Sequence, residues 1–177
     1  MTRKIVAIAA SNSRKSINRS LVQYAGKLLE NCDVEYLDLN DYEMPIYSED
    51  IEAHSGIPEA AKRFLEKIRD ADALLISYAE HNGGYTVAYK NIFDWASRHN
   101  REVYQGKSLV MLSTSPGPGG AQSVLNTAVN SAHFFAGEVV GSFSLPSFYD
   151  NFDRDNGELL DVNLRENLKK AVANLHG

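Results

Sequence analysis

Residues 4–18 read Lys4-Ile5-Val6-Ala7-Ile8-Ala9-Ala10-Ser11-Asn12-Ser13-Arg14-Lys15-Ser16-Ile17-Asn18. Ile5 to Ala10 is a short apolar run with β-branched members, the pattern of a strand buried on both faces. Ser11, Asn12, Ser13, Ser16 and Asn18 then make a loop of hydroxyls and amides. Leu21, Ala25, Leu28 and Leu29 recur at helical spacing and predict a helix over about 18–31, with Ser16 or Asn18 as its N-cap. A strand, a polar loop and a helix N-terminus form an anion cradle, because unpaired N–H groups and the positive end of the helix dipole face the loop. No glycine precedes Gly26, so neither G-x-G-x-x-G nor G-x-x-x-x-G-K-[ST] is present. A pyrophosphate needs glycines for close backbone approach. A terminal monophosphate needs only several donors converging on one point, which Ser11, Ser13, Ser16 and Asn18 can supply; an ordinary ST-turn with an N-cap stays open as the alternative.

Outward from this stretch, strands and helices alternate. Val34, Tyr36, Leu37 and Leu39 predict a second strand over 32–39, followed by a long connection over 40–57 that contains Met44-Pro45-Ile46-Tyr47. Connections of that length are usually functional or pack on a partner. Pro58 suits the first position of a helix with Ala61, Phe64, Leu65 and Ile68 on one face. A third buried strand, 73–78, runs into Ala79-Glu80-His81-Asn82-Gly83-Gly84-Tyr85. From Thr86 a helix presents Ala88, Ile92, Trp95 and Ala96, with Tyr89 and Phe93 beside them. This face is broader than a one-sided helix needs, which predicts a homo-oligomer that covers the aromatics and places the ligand sites near its interface; that all three rings are simply core stays open as the alternative. The fourth strand, 108–114, ends in Ser115-Pro116-Gly117-Pro118-Gly119-Gly120, and a helix follows through Val124, Leu125, Ala128, Val129 and Ala132. A fifth strand over 138–145 and a last helix opened by an Asn163/Glu166 capping box complete the pattern.

Five strands alternating with five helices imply an α/β fold with a parallel sheet covered on both faces. Right-handed crossovers point to the flavodoxin-like order 2-1-3-4-5. The 177 residues form one domain, 1–177, with no repeat or linker. The formal charge of −5 gives no support to nucleic-acid or anionic-membrane binding. No apolar run reaches transmembrane length and no signal-peptide pattern opens the chain, so the expected location is cytoplasmic. Cys32 is the only cysteine and reads as a small buried hydrophobe, which leaves no multi-cysteine zinc site and no intrachain disulfide. His54, His81, His99, His133 and His176 lack metal-ligand spacing, with His133 expected partly buried on its helix. No metal is expected.

Parallel sheets bind ligands at the carboxyl ends of their strands, at the switch point between strands one and three. The unusual loops follow strands one, three and four, so all three meet at that edge. The loop after strand three can present backbone amides at Asn82, Gly83 and Gly84. The loop after strand four has three glycines and two prolines in five residues, a shape that lets backbone pass close to something flat. A flavin fits this division, with its phosphate in the first loop and its ring edges on the other two. Each loop alone is explained as well by turn chemistry.

These residues also carry a family resemblance. Glu80-His81-Asn82-Gly83-Gly84-Tyr85 with Lys90-Asn91-Ile92-Phe93-Asp94-Trp95 resembles the P-E-Y-N-G-S and K-N-x-x-D-W motifs of the NADPH-dependent FMN reductases. Residues 11–18 resemble the phosphate loop of that family, G-S-x-R-x-x-S-x-N, and 115–120 its glycine-rich ring-binding loop. Residues 41–50 resemble its long connection. The resemblance implies that FMN is held at its phosphate by Ser11, Ser13, Arg14, Ser16, Ile17 and Asn18. It implies ring contacts from Ala79, Glu80, His81, Asn82, Gly83 and Gly84, and from Ser115, Gly117, Gly119 and Gly120. Ala10 stands where the family often has glycine, Ser13 where it often has arginine, Ala79 for the usual proline and His81 for the usual tyrosine. Arg14 is the neighbouring cation that can replace the lost arginine, and His81 is assigned no acid–base role.

The implied activity is hydride transfer from NADPH or NADH to bound FMN and on to a small-molecule acceptor such as a flavin, quinone or azo dye, in ping-pong fashion. The implied assembly is a homodimer or homotetramer. The flavin carries the chemistry, so no catalytic side chain is assigned. A flavodoxin-like electron carrier and a non-catalytic flavin-binding sensor or interaction subunit are the competing readings. A flavin-free dinucleotide dehydrogenase is a weaker rival; Asp38 lies where a ribose-binding acid would, but the glycines are absent.

Overall fold

The computed structural model describes residues 2–177. Five strands, β1 (Arg3–Ala10), β2 (Cys32–Leu37), β3 (Ala73–Tyr78), β6 (Ser108–Thr114) and β7 (Glu138–Leu145), form one parallel sheet in the order β2-β1-β3-β6-β7. Counted along the sheet strands alone, this is the expected 2-1-3-4-5. Two antiparallel pairs, β4 (Glu80–His81) with β5 (Gly84–Tyr85) and β8 (Phe152–Asp153) with β9 (Glu158–Leu159), stand apart from it.

Alternation along the strands divides the apolar residues between two cores. Val6, Ile8, Leu74, Ile76, Leu109 and Met111 face one side, where α3 (Glu59–Asp70), α4 (Val87–His99) and α5 (Gln122–Ser131) cover them. Ile5, Ala7, Leu75, Val110 and Leu112 face the other, under α1 (Ile17–Lys27) and α6 (Val162–Val172). β1, β3 and β6 are therefore apolar on consecutive residues, as strands covered on both faces must be.

Several expectations are corrected in detail. The first helix ends at Lys27, not near 31, because Leu28 and Leu29 turn back to bond the carbonyls of Ala25 and Gly26. β2 stops at Leu37, since Asp38 caps a 3₁₀ turn over Leu39–Tyr42 by accepting from Asn40 N. The rest of the long connection is not bare loop: it contains α2 (Glu49–Ser55), which Ser48 caps at the Ile51 amide. Pro58 is the N-cap of α3 rather than its first residue. The last helix is capped by Asp161, whose Oδ1 accepts from Leu164 N at 2.8 Å, so Asn163 and Glu166 form no capping box. His133 is exposed and lies on a 3₁₀ turn beyond α5; Cys32 is half-buried, with its Sγ directed at the carbonyls of Glu30 and Leu175.

The aromatics of α4 are not an open patch. Trp95 is 0% exposed and Tyr89 is 2% exposed. The connection lies over them: Trp95 Nε1 donates to Pro45 O at 2.7 Å, and the Tyr47 ring packs edge-on against the indole with centroids 4.9 Å apart. Asn91 completes this clasp by donating to the carbonyls of Met44 and Pro45 and accepting from Tyr47 N at 2.9 Å. These rings are core, and the expectation of an oligomer drawn from them loses its basis.

Candidate functional site

Among the described residues, the buried polar side chains are Ser11, Ser16, Asn18, Ser77, Thr86, Ser113 and Thr114, and they gather at the carboxyl ends of β1, β3 and β6. A buried polar group must find a partner or cost free energy, so their bonds show what holds this edge together. Thr86 Oγ1 donates to Ala10 O at 2.9 Å and accepts from Tyr89 N, which fixes the start of α4 to the end of β1. Thr114 Oγ1 donates to Leu145 O, and the Ser113 and Ser144 hydroxyls both donate to Gly120 O.

Asn18 is the centre of this lacing. Its Oδ1 accepts from Ser77 Oγ at 2.8 Å and from Thr114 N at 3.1 Å, and its Nδ2 donates to Thr114 O at 3.2 Å. One side chain thus joins the start of α1 to the ends of β3 and β6. Its role is to position the three loops; only its backbone N–H points with the helix N-terminus.

Around α1 the cradle takes the expected form. Ser16 is the N-cap, its Oγ accepting from Arg19 N at 3.3 Å, and Ser11 Oγ accepts from Ser13 N at 3.2 Å. Both hydroxyls act here as acceptors, so each keeps its own hydrogen for a ligand. The amides of Ile17 and Asn18 lie in the first turn, where no i−4 carbonyl exists.

A cleft of 250 Å³ opens here, lined by Ser11, Ser13, Lys15, Ser16, Ile17 and Asn18 on one side. Ala79, Glu80 and His81 form a second side, and Thr114, Ser115, Pro116 and Tyr149 a third. The cation in the lining is Lys15, one residue beyond the expected Arg14. Lys15, Thr114, Pro116 and Tyr149 are the lining residues the sequence reading missed; Thr114 and Pro116 flank the expected Ser115. A run of two adjacent cations leaves the choice between them to loop geometry, and Tyr149 lies far along the chain. It reaches the cleft because Ser147 N bonds Gly117 O at 2.9 Å and Phe148 N bonds Ser115 O at 3.0 Å.

The other expected site residues have their own placements. Glu80 lines the cleft, but its Oε2 accepts from Val124 N at 2.9 Å. It thereby caps α5, whose own N-cap, Ala121, has no capping side chain. Asn82 and Gly83 form the turn of the β4–β5 hairpin, with φ of 52° and 79°, the two positive values that a type I′ turn requires. The Asn-Gly pair carried that signal in the sequence. With Gly84 they lie outside the cleft lining, as do Arg14, Gly117 and Gly119. Gly120 is buried, with φ of 57°, and a Cβ there would stand 2.2 Å from Ser144 Oγ. It closes the glycine-rich loop against β7. Asp38 is paired with Arg19 at 2.7 Å, and the Asn40 amide, with Arg19, holds its carboxyl below the usual range.

The arrangement joins hydroxyl donors, a cation and a helix N-terminus to two loops that form a slot. It suits a flat group bearing a terminal phosphate. Among the described residues, no group of histidine, cysteine or acidic side chains is arranged to hold a metal, and no helix is long and apolar enough to cross a membrane.

Comparison with known proteins agrees with this geometry. The family model described as NADPH-dependent FMN reductase matches residues 3–150. An NAD(P)H-dependent FMN reductase of Pseudomonas aeruginosa is 36% identical over 115 residues, covering 64% of this chain and 60% of that protein, less than two thirds of its length. An NADPH:quinone oxidoreductase of Arabidopsis thaliana is 28% identical, with 97% of this chain and 89% of that protein aligned. Among solved structures, FerB, a flavoenzyme NAD(P)H:(acceptor) oxidoreductase from Paracoccus denitrificans, superposes with a TM-score of 0.74 at 26% identity, over 98% of this chain and 94% of that one.

Proposed function

The chain belongs to the NADPH-dependent FMN reductase family, and from that premise we propose that it binds FMN at the carboxyl edge of its sheet and reduces a small acceptor with NADPH or NADH. The observation that carries this reading is the cradle, in which Ser11, Ser13, Lys15 and Ser16 meet the first turn of α1 in one cleft with the two slot-forming loops. FMN, when bound, supplies the hydride chemistry. The protein's part is to bind, orient and polarise. Ser11 and Ser16 donate from buried positions, Lys15 offsets phosphate charge, and the α1 amides complete the anion site. Glu80 and Asn18 fix the positions of the two ring loops without reaching a ligand themselves.

Nicotinamide and acceptor share one open face in turn, which gives parallel double-reciprocal lines when both are varied. A flavin, quinone or azo dye is the acceptor class in this reading, and the assembly is a homodimer or homotetramer. Its support is the set of apolar side chains left exposed away from α4, among them Phe134, Leu160 and Val162. A light-scattering mass equal to the 19.6 kDa chain would rule the oligomer out.

The phosphate site is tested by Ser16→Asp. Aspartate keeps an N-cap acceptor for the Arg19 amide but sets a negative charge against the phosphate. Titration by flavin fluorescence should show FMN binding weakened by about a hundred-fold, roughly 2.7 kcal/mol, with riboflavin binding and the thermal midpoint little changed. Equal loss of FMN and riboflavin would place the phosphate elsewhere.

A further inference from the structure

The chain has two Asn-Gly steps, Asn82-Gly83 and Asn156-Gly157, and each lies in the turn of a small antiparallel pair. This dipeptide is chemically labile, because glycine has no side chain to shield its amide nitrogen and lets the backbone swing that nitrogen toward the asparagine Cγ. Both asparagines are exposed, and both glycines have positive φ, 79° at Gly83 and 69° at Gly157. Access and backbone conformation therefore do not separate the two steps. Hydrogen bonding does.

At Asn156 the reacting atoms are occupied. Its Nδ2 donates to Asp153 Oδ2 at 2.6 Å, its backbone N donates to Asp153 Oδ1 at 3.1 Å, and Gly157 N donates to Asp153 O at 2.8 Å. The side chain is thus tied to Asp153, and the glycine N–H is held close to a carboxylate that opposes loss of its proton. At Asn82, among the described residues, neither the side-chain amide nor the Gly83 N–H has a partner, and a Cβ built on Gly83 would meet nothing within 4 Å.

We propose that Asn82-Gly83 is a self-modification site of the native fold: Asn82 deamidates there to aspartate and isoaspartate, Asn156 is protected, and the change loosens the loop that lines the cradle. The Gly83 nitrogen, having given its proton to water, bonds to Asn82 Cγ; the bond from Cγ to Nδ2 breaks, and Nδ2 leaves as ammonia. Water then opens the cyclic imide, at Cγ to give aspartate or at the main-chain carbonyl to give isoaspartate. The net change is one water taken up and one ammonia released, with no oxidation or reduction. Both products place a carboxylate on the hairpin tip. Isoaspartate also adds a methylene to the main chain of a turn that pairs Glu80 with Tyr85 and His81 with Gly84, so the pairing loses its register. Ala79, Glu80 and His81, which lead into this turn, are one side of the cradle. The modification stands on the turn geometry alone; its effect on flavin rests on the FMN reading above.

The test incubates the full chain for weeks near body temperature at mildly alkaline pH. Trypsin releases residues 70–90, in which Asn82 is the only asparagine, and residues 155–165, which contain Asn156 and Asn163; fragmentation separates the last two. Mass spectrometry reads the exchange of ammonia for water, and methylation by an isoaspartyl methyltransferase reads isoaspartate. In the folded protein Asn82 should convert about ten-fold or more faster than Asn156, a margin set by the charge-assisted bond that Asn156 must give up. In guanidinium chloride, where neither turn persists, the two should convert within about two-fold of each other. Asp153→Ala, which releases the Asn156 side chain, should speed conversion of Asn156 in the folded protein by about five-fold or more.

No conversion at Asn82, equal rates at the two steps in the folded protein, or a gap that survives in guanidinium chloride would each overturn the proposal. So would an Asn156 rate that Asp153→Ala leaves unchanged. FMN affinity of the wild type should fall as residue 82 converts, whereas Asn82→Gly, which suits the φ of 52° and has no side-chain amide to lose, should hold whatever affinity it starts with. Constant affinity in the converted wild type, or an equal decline in both proteins, overturns the loosening of the site. Failure of the FMN reading looks different: flavin binding is then absent from the start, while the two asparagines still convert at different rates.

Discussion

Removing the Asn18 side chain leaves Ser77 Oγ and the Thr114 N–H without their acceptor in a buried site. Unsatisfied groups of this kind cost about 1–3 kcal/mol each, so Asn18→Ala should destabilise the fold by roughly 2–4 kcal/mol. Urea unfolding reads the loss directly, and a change under 1 kcal/mol would show that the lacing matters little. At the next residues the contrast is electrostatic. Lys15→Gln should weaken FMN binding by about five- to ten-fold at low salt, less at high salt, with riboflavin unaffected. Arg14→Gln should change it by less than about two-fold; the reverse ranking would restore Arg14 as the phosphate partner. At this scale the sequence showed which loop carries the hydroxyls but not which side chains the fold itself occupies. Asn18 and Glu80 read as ligand groups because their partners, Thr114 and Val124, lie 96 and 44 positions away. Only the folded chain brings those pairs together.

Elements were more legible, because the apolar periodicity that defines them is also what buries them. The strands over 73–78, 108–114 and 138–145 occupy those same residues in the fold. Errors fall where a local hydrogen bond overrides periodicity, as at Asp38, Ser48 and Asp161. The α4 aromatics were misread for a related reason: a helix looks too apolar until the connection that covers it is in place. One cluster was not visible at all. The hydroxyls of Tyr78 on β3, Tyr89 on α4 and Tyr104, before β6, lie 3.1 to 3.5 Å apart and partner one another in the core. Burial pushes all three phenols up, Tyr104 to about 12 and the other two well above the usual value. The folded state therefore holds these protons more tightly than the unfolded chain. Their contribution to stability is fully present below about pH 10 and is lost as pH rises through the folded values. Spectrophotometric titration should find three of the nine tyrosines ionising only as the circular dichroism collapses. Tyr104→Phe should reduce the protons released in that transition by one. Smooth ionisation of all nine in the folded state would contradict the closed cluster.

For the whole molecule, the sheet order decides where function sits. Placing β1 and β3 side by side, with β2 and β6 outside them, brings the loops after β1, β3 and β6 to one edge. That convergence followed from alternation and handedness, and so was readable in advance; the course of residues 39–46 over α4 was not, because it depends on side-chain bonds such as those of Asn91 and Trp95 to the 44–47 backbone. The central claim is that this edge holds FMN in a form that NADPH or NADH can reduce. Its most direct test is anaerobic mixing of the FMN-loaded protein with NADPH, and separately with NADH, while the flavin absorbance near 450 nm is followed, roughly one equivalent at a time. Bleaching within seconds by at least one of the two is expected, with recovery of the colour when a quinone is added. Absorbance that stays constant for minutes with both nucleotides would contradict it and leave the electron-carrier or sensor reading in its place.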